Sequence, residues 1–283
     1  MLGLVAALGA GCGAGSIGSA GRTSVVASFY PLAFAAARVG GDSVTVDDLT
    51  PSGAEPHDLE LTPRTVADIQ RADVVLYLGH GFQPAVSDAA AGAAGQVVDA
   101  LDGLPLRTAS GEGEAGLTAD PHVWLDPPLY ARMVKRIGRV LHRPARAAAL
   151  VARLDALDSS FRTGLAHCSR REVVTSHAAF GYLAQRYGLH QVSITGLAPE
   201  SEPTASELAH VVDVVRRTQA TTVFSEKLLS PRLAETVARE TGAKDAVLDP
   251  LEGLTPSETA RGDTYFTLMR RNLAALRRAL ACR

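Results

Sequence analysis

Residues 144–165 read PARAAALVARLDALDSSFRTGL. Pro144 suits the first turn of a helix, where its missing N–H costs nothing. Leu150, Leu154, Leu157, Phe161 and Leu165 recur three or four residues apart and mark one apolar helical stripe. At 1.5 Å per residue the helix is about 33 Å long, enough to span a whole domain. A shorter helix, running to about Leu141, precedes it, and from Pro128 to Ala166 nothing signals a strand.

On both sides of this segment short β-rich runs alternate with helical ones. Before it come Thr23–Ser28, a helix from about Pro31 stopped at Gly40-Gly41, Ser43–Val46, a helix capped by Thr62 with Pro63 at its first position, Asp73–Leu78, a helix near Pro84, and Gln96–Val98. After it come Glu172–Thr175, a helix over 178–187, Gln191–Ile194, a helix from Thr204 to Arg217, Thr221–Ser225, a helix from Pro231 to Thr241, and Asp245–Leu248. Strands alternating with helices predict parallel, doubly wound sheets. The expected fold is therefore α/β, with two doubly wound lobes joined by a long backbone helix. The expected division is a tether over 1–22, an N-terminal lobe over 23–127, linker helices over 128–167 and a C-terminal lobe over 168–283.

The chain has 283 residues and is 46% hydrophobic, enough to give each lobe its own core. A net charge of −2, from 28 basic and 30 acidic residues spread without blocks, gives no electrostatic case for nucleic acid or for a membrane surface. Met1 to Gly11 are small and apolar, and they lead into Cys12 and a Gly/Ser-rich stretch to Gly21. This resembles the end of a lipoprotein signal peptide, although Gly9 stands where such signals carry Leu and no basic residues precede it. Cys12 is the expected acylated residue, which would make a lipid anchor on the outer face of the cell membrane the chain's one membrane contact. The alternative is an apolar N-terminus with an incidental thiol. In an exported protein the two remaining cysteines, Cys168 and Cys282, most simply pair with each other.

Three histidines stand where strand-like runs give way to loops, in Glu55-Pro56-His57-Asp58, Asp120-Pro121-His122-Val123-Trp124 and Ser176-His177-Ala178. With an oxygen donor, three imidazoles suit a borderline divalent ion such as zinc. Asp249, which closes the run Ala246-Val247-Leu248, is the natural fourth ligand, and the alternative for it is a turn aspartate before Pro250. Glu55 and Glu226 are candidates to orient the imidazoles, since a metal-bound histidine needs an acceptor for its other ring N–H. His80, in Gly79-His80-Gly81, is a further candidate beside the ligands. His142, His167, His190 and His210 lack such contexts and read as ordinary surface or core residues.

These motifs, with Ser28-Phe29-Tyr30-Pro31-Leu32, Pro56-His57-Asp58-Leu59-Glu60, Asp120–Pro127 and Leu248-Asp249-Pro250-Leu251, resemble in order and spacing the cluster A-I solute-binding proteins of ABC transporters for zinc and manganese. The resemblance runs from about Ser24 to Ala281. It implies an ion held in the cleft between two lobes, with His57 and His122 from the first and His177 and Asp249 from the second. It also implies delivery to an ABC permease, an extracytoplasmic location and a monomer. Manganese members typically carry Glu where this chain has His177, so the resemblance leans to Zn2+, with Mn2+ as the alternative. Two features depart from the family: Gly103–Thr118 lacks the histidine-rich stretch that many zinc members carry there, and the segment between Leu141 and Cys168 is short. Glu200 and Glu202 are expected at the cleft mouth, towards the permease.

Three histidines on zinc with an open fourth position would also suit a hydrolase, although the chain has no His-Glu-x-x-His run and no Gly-x-Ser-x-Gly elbow. A closed coordination leaves no place for substrate, so no enzymatic activity is expected. A surface adhesin using the ion structurally is the other alternative. Binding needs neutral imidazoles, so affinity is expected to fall below about pH 6.5 and binding to release protons. The long linker helix predicts limited lobe movement.

Overall fold

A computed structural model describes residues 21–109, 116–199 and 203–283. Cys12, Glu200, Glu202 and Gly111–Glu114 lie outside the described residues, so the acylation expected at Cys12 and the place expected for the two glutamates fall there as well.

The first half runs β1 (Thr23–Ala27), α1 (Tyr30–Gly40), β2 (Val44–Asp48), α2 (Pro63–Arg71), β3 (Val74–Tyr77), α3 (Pro84–Ala90) and β4 (Gln96–Asp99). Its strands lie in the order β2-β1-β3-β4, all parallel, with Val25 opposite both Val46 and Val74. Next come α4 (Pro127–Val140) and α5 (Pro144–Leu165). The second half runs β5 (Glu172–Thr175), α6 (Gly181–Tyr187), β6 (His190–Ser193), α7 (Ala205–Thr218), β7 (Thr222–Ser225), α8 (Arg232–Thr241), β8 (Lys244–Val247), α9 (Pro256–Ala260) and α10 (Tyr265–Ala279). Its parallel sheet, in the order β6-β5-β7-β8, repeats the first. The two doubly wound lobes expected from the alternation are present.

Side-chain alternation builds these layers. Val25 and Ala27 of β1 face the main core, while Val26 faces a second cluster with Ile69 of α2 and Val86 of α3. In β5, Val173 joins the main core and Val174 packs with Val211, Val215 and Val237. Both faces of each sheet are thus covered, as parallel strands require.

The starts of the helices follow local chemistry. Thr62 accepts a hydrogen bond from the Thr65 N–H at 3.2 Å, with Pro63 at the first helical position. Asp126 does the same for α4 through the Leu129 N–H at 3.2 Å.

On α5 the expected stripe of Leu150, Leu154, Leu157, Phe161 and Leu165 is buried. It belongs to one apolar cluster that runs from Val25 and Leu32 through α4 and α5 to Phe224, Leu248, Tyr265 and Leu276. The lobes therefore share a core. Trp124 Nε1 donates to Pro250 O at 2.7 Å and Tyr265 Oη to Trp124 O at 2.7 Å, which adds polar ties across it. Cys168 and Cys282 form a disulfide that fastens the start of the second half to the end of the chain. No helix among the described residues is long and apolar enough to cross a membrane.

Candidate metal centre

Each candidate ligand comes from backbone beyond the carboxyl end of a strand, where open parallel sheets place their sites. Only His177 follows its strand closely, since β5 ends at Thr175. His57 lies in a 3-10 turn, Pro56–Asp58, well after β2 ends at Asp48, and His122 is separated from β4 by the long segment after Asp99. The strand-end reading of these two was too local.

The structure brings His57, His122 and His177 together with Glu252, one ligand atom from each lying within 4.8 Å of all the others. Glu252 Oε1 is 3.4 Å from His57 Nε2, 3.1 Å from His122 Nε2 and 3.5 Å from His177 Nε2. The His122 and His177 Nε2 atoms are 3.3 Å apart. His122 and His177 are fully buried, and the His57 side chain is 7% exposed.

Asp249 does not join this group. Its Oδ2 accepts from Lys227 Nζ at 2.9 Å and its Oδ1 from the Leu251 N–H at 2.8 Å, while its own N–H donates to Asn272 Oδ1 at 3.0 Å. It is the turn aspartate that the sequence offered as the alternative. Leu251 takes a left-handed conformation, φ 59°, and the next residue, Glu252, stands among the histidines, where Asp249, nearest the strand, was expected.

Two imidazoles are held from behind by carboxylates. His122 Nδ1 donates to Asp120 Oδ1 at 2.8 Å, and the His122 N–H donates to the same oxygen at 3.0 Å. His177 Nδ1 donates to Glu226 Oε1 at 2.8 Å, and its N–H to that atom at 3.1 Å. An ionised carboxylate only accepts, so each of these imidazoles carries a proton on Nδ1, and Nε2 is the ring atom left to face the site. Glu226 therefore lies against His177, whereas Glu55 Oε1 accepts from the His57 N–H at 3.2 Å. His80 is elsewhere: it is exposed, and its Nδ1 is 3.0 Å from Thr118 Oγ1.

Asp120 and Glu252 were missed by the sequence reading. Asp120 had a signal, because Asp120-Pro121-His122 repeats Glu55-Pro56-His57. In both, the carboxylate takes the N–H of the histidine two residues on.

The electrostatics are those of a site for a cation. Burial alone would drive His122 and His177 down. The hydrogen bonds that His122 donates to Asp120 and Glu252, and the charges of Glu226 and Glu252 beside His177, outweigh it and leave both above the ordinary histidine range. His57 has no carboxylate on its Nδ1 among the described residues, and burial pulls it down. Burial opposes ionisation of Glu252, yet the imidazoles hold it well below the carboxylate range. Burial, with the Glu252 charge behind it, pushes Glu55 up to about 9. Glu252 Oε2 is buried without a hydrogen-bond partner. A buried, ionised carboxylate with an unsatisfied oxygen is expensive unless a cation comes to it. Three imidazole nitrogens and a carboxylate are donors that zinc accepts in tetrahedral geometry.

Comparison with known proteins agrees with this geometry. Residues 25–279 match the family model described as "Zinc-uptake complex component A periplasmic". The chain is 33% identical over 286 residues to the zinc-binding lipoprotein AdcA of Streptococcus pneumoniae, covering 91% of this chain but 56% of that protein, so it spans about half of AdcA's length. It is 36% identical over 299 residues to the high-affinity zinc uptake system protein ZnuA of Bacillus subtilis, covering 98% of this chain and 94% of that one. Among solved structures, the Zn(II)-bound ZnuA-like domain of S. pneumoniae AdcA superposes with a TM-score of 0.76 at 33% identity, covering 92% of this chain and 99% of that domain.

Proposed function

Because the chain belongs to the family of periplasmic zinc-uptake component A proteins, we propose that it captures Zn2+ outside the cytoplasm and delivers it to an ABC importer. The observation that carries this is the convergence of three imidazole Nε2 atoms on the buried Oε1 of Glu252. His57, His122, His177 and Glu252 are the proposed ligands, with Asp120 and Glu226 orienting two of the imidazoles. The nitrogen-rich set favours zinc over manganese, which prefers oxygen donors.

The ion is cargo rather than a catalyst. With Glu252 as the fourth ligand, no coordination position is left for a substrate, and the hydrolase alternative loses its basis. The adhesin alternative is not favoured either, since the matched family and the Bacillus relative are described as zinc-uptake components. The permease is the expected protein partner, the chain acts as a monomer, and acylation at Cys12 would keep it on the outer face of the membrane.

Uptake of radioactive zinc by zinc-starved host cells tests the reading. Deleting the gene should depress uptake, and the intact gene, but not a His177→Ala copy, should restore it. Equal uptake with and without the gene would refute the transport role.

A further inference from the structure

Arg107 touches neither a histidine nor Glu252, yet it stands at the junction between the two halves of the site. Its Nε is 3.5 Å from Asp120 Oδ2, the oxygen opposite the one that holds His122, and its Nη1 donates to Gln185 Oε1 at 3.0 Å. The Arg107 N–H donates to Tyr182 Oη at 2.9 Å, and that hydroxyl donates to Asp120 O at 2.9 Å. The Asp120 N–H returns to Arg107 O at 2.9 Å. Tyr182 and Gln185 lie on α6, the helix that follows His177 after one 3-10 turn. A Cβ on Gly181, the first residue of α6, would lie 3.0 Å from Arg107 Nε and 3.1 Å from Asp120 Oδ2, so the helix start is pressed against this pair.

We propose that Arg107 is a positioning residue that makes the hold of His122 on the ion depend on contact between the lobes. The Asp120 side chain is 4% exposed and carries a charge that the His122 imidazole alone must otherwise balance. Arg107 braces its far oxygen, so the near oxygen stays aligned with both His122 Nδ1 and the His122 N–H. The guanidinium is itself held by Gln185, across the lobe boundary. Separation of the lobes at this edge draws the Arg107 guanidinium away with Gln185 of α6, while its backbone stays beside Asp120; this frees the Asp120 carboxylate to rotate and loosens His122. Release by a partner that parts the lobes then needs no direct push on any ligand. The arrangement differs from that of Arg186, which also crosses between the halves, with Nε 2.8 Å from Asp126 Oδ2, but reaches no group that holds a histidine.

This inference rests on the proposed zinc site. The test is the rate at which the zinc-loaded purified chain gives up its ion to excess EDTA, followed by stopped flow with a fluorescent zinc indicator. Loss of a carboxylate directly behind a metal-bound imidazole costs about 10–100-fold in affinity. Arg107 acts one bond further out, so Arg107→Ala should speed release by about fivefold, and Gln185→Ala should speed it in the same direction by less. Arg107→Ala added to Asp120→Asn should bring no further acceleration, because the arginine acts through that carboxylate. Arg186→Ala should release at the native rate. A native rate for both Arg107→Ala and Gln185→Ala, or an Arg107→Ala effect that adds in full to that of Asp120→Asn, would overturn the inference and leave the zinc site standing. A native chain that takes up no zinc would remove both.

Discussion

Glu252 Oε1 lies 3.1 Å from His122 Nε2, a contact between residues 130 positions apart that joins the second half of the chain to the first. Neither partner has access to solvent, so the pair is stable only with its charges balanced, by protons on the imidazoles or by a metal ion among them.

The two acidic residues on either side of the Leu251 turn should therefore behave differently. Glu252→Ala should weaken zinc binding at least as much as the loss of an outer carboxylate does, by about 100-fold. Asp249→Asn should leave zinc affinity within a few-fold of native but lower unfolding stability by about 1–3 kcal/mol, since it disturbs the charged bond to Lys227. Calorimetric zinc titration and urea denaturation of both variants separate the two roles.

Asp120→Asn and Glu226→Gln keep the shape of their side chains and remove the charge behind His122 and His177. Each should weaken zinc by about 10–100-fold while the fold persists. Competition against a chelator of known affinity measures this, with circular dichroism as the check on folding.

The pH dependence follows from the shifts. The pKa values of His122 and His177 are raised above the ordinary range in the ion-free chain, so protons compete with zinc for these imidazoles at a higher pH than they would for ordinary histidines. Affinity should thus rise with pH through the region above about 6.5 and fall as pH drops, beginning to weaken at a higher pH than ordinary histidines would imply. The same protonated pairs stabilise the ion-free fold fully below about pH 6.5, and that contribution is lost as pH rises through their raised pKa values. The thermal shift caused by zinc should therefore be larger at pH 8 than at pH 6. Calorimetry in buffers of different ionisation enthalpy should show proton release on binding; no release at pH 7 would contradict the assigned states.

The fold was legible because its signals are local. Strand-helix alternation, the Thr62-Pro63 start and the stripe on α5 each depend on neighbours a few residues away, and each stands in the structure. That His57, His122 and His177 come together was legible for a related reason, since each carries a short motif around it. Glu252 was not, because its place depends on Leu251 adopting a left-handed conformation and on Lys227 drawing Asp249 aside, and neither is encoded by spacing. His80 had the local context of a site residue, but the turn it occupies, φ 61°, directs it to Thr118 at the surface.

The Cys168–Cys282 disulfide closes a loop with a sequence separation of 114. In the chain-entropy model a crosslink of this span contributes about 4 kcal/mol. Replacing both cysteines by alanine should lower the urea midpoint accordingly while leaving zinc affinity unchanged, because neither residue approaches the histidines. A loss of zinc binding in a folded double variant would mean that the disulfide positions the second lobe for the site.

The most direct test of the central claim is a calorimetric titration of the purified chain with zinc and, separately, with manganese, repeated on His177→Ala. The account predicts one tight zinc site, weaker manganese binding and severe loss of zinc affinity in the variant. A preference for manganese, or zinc binding that survives without His177, would contradict it.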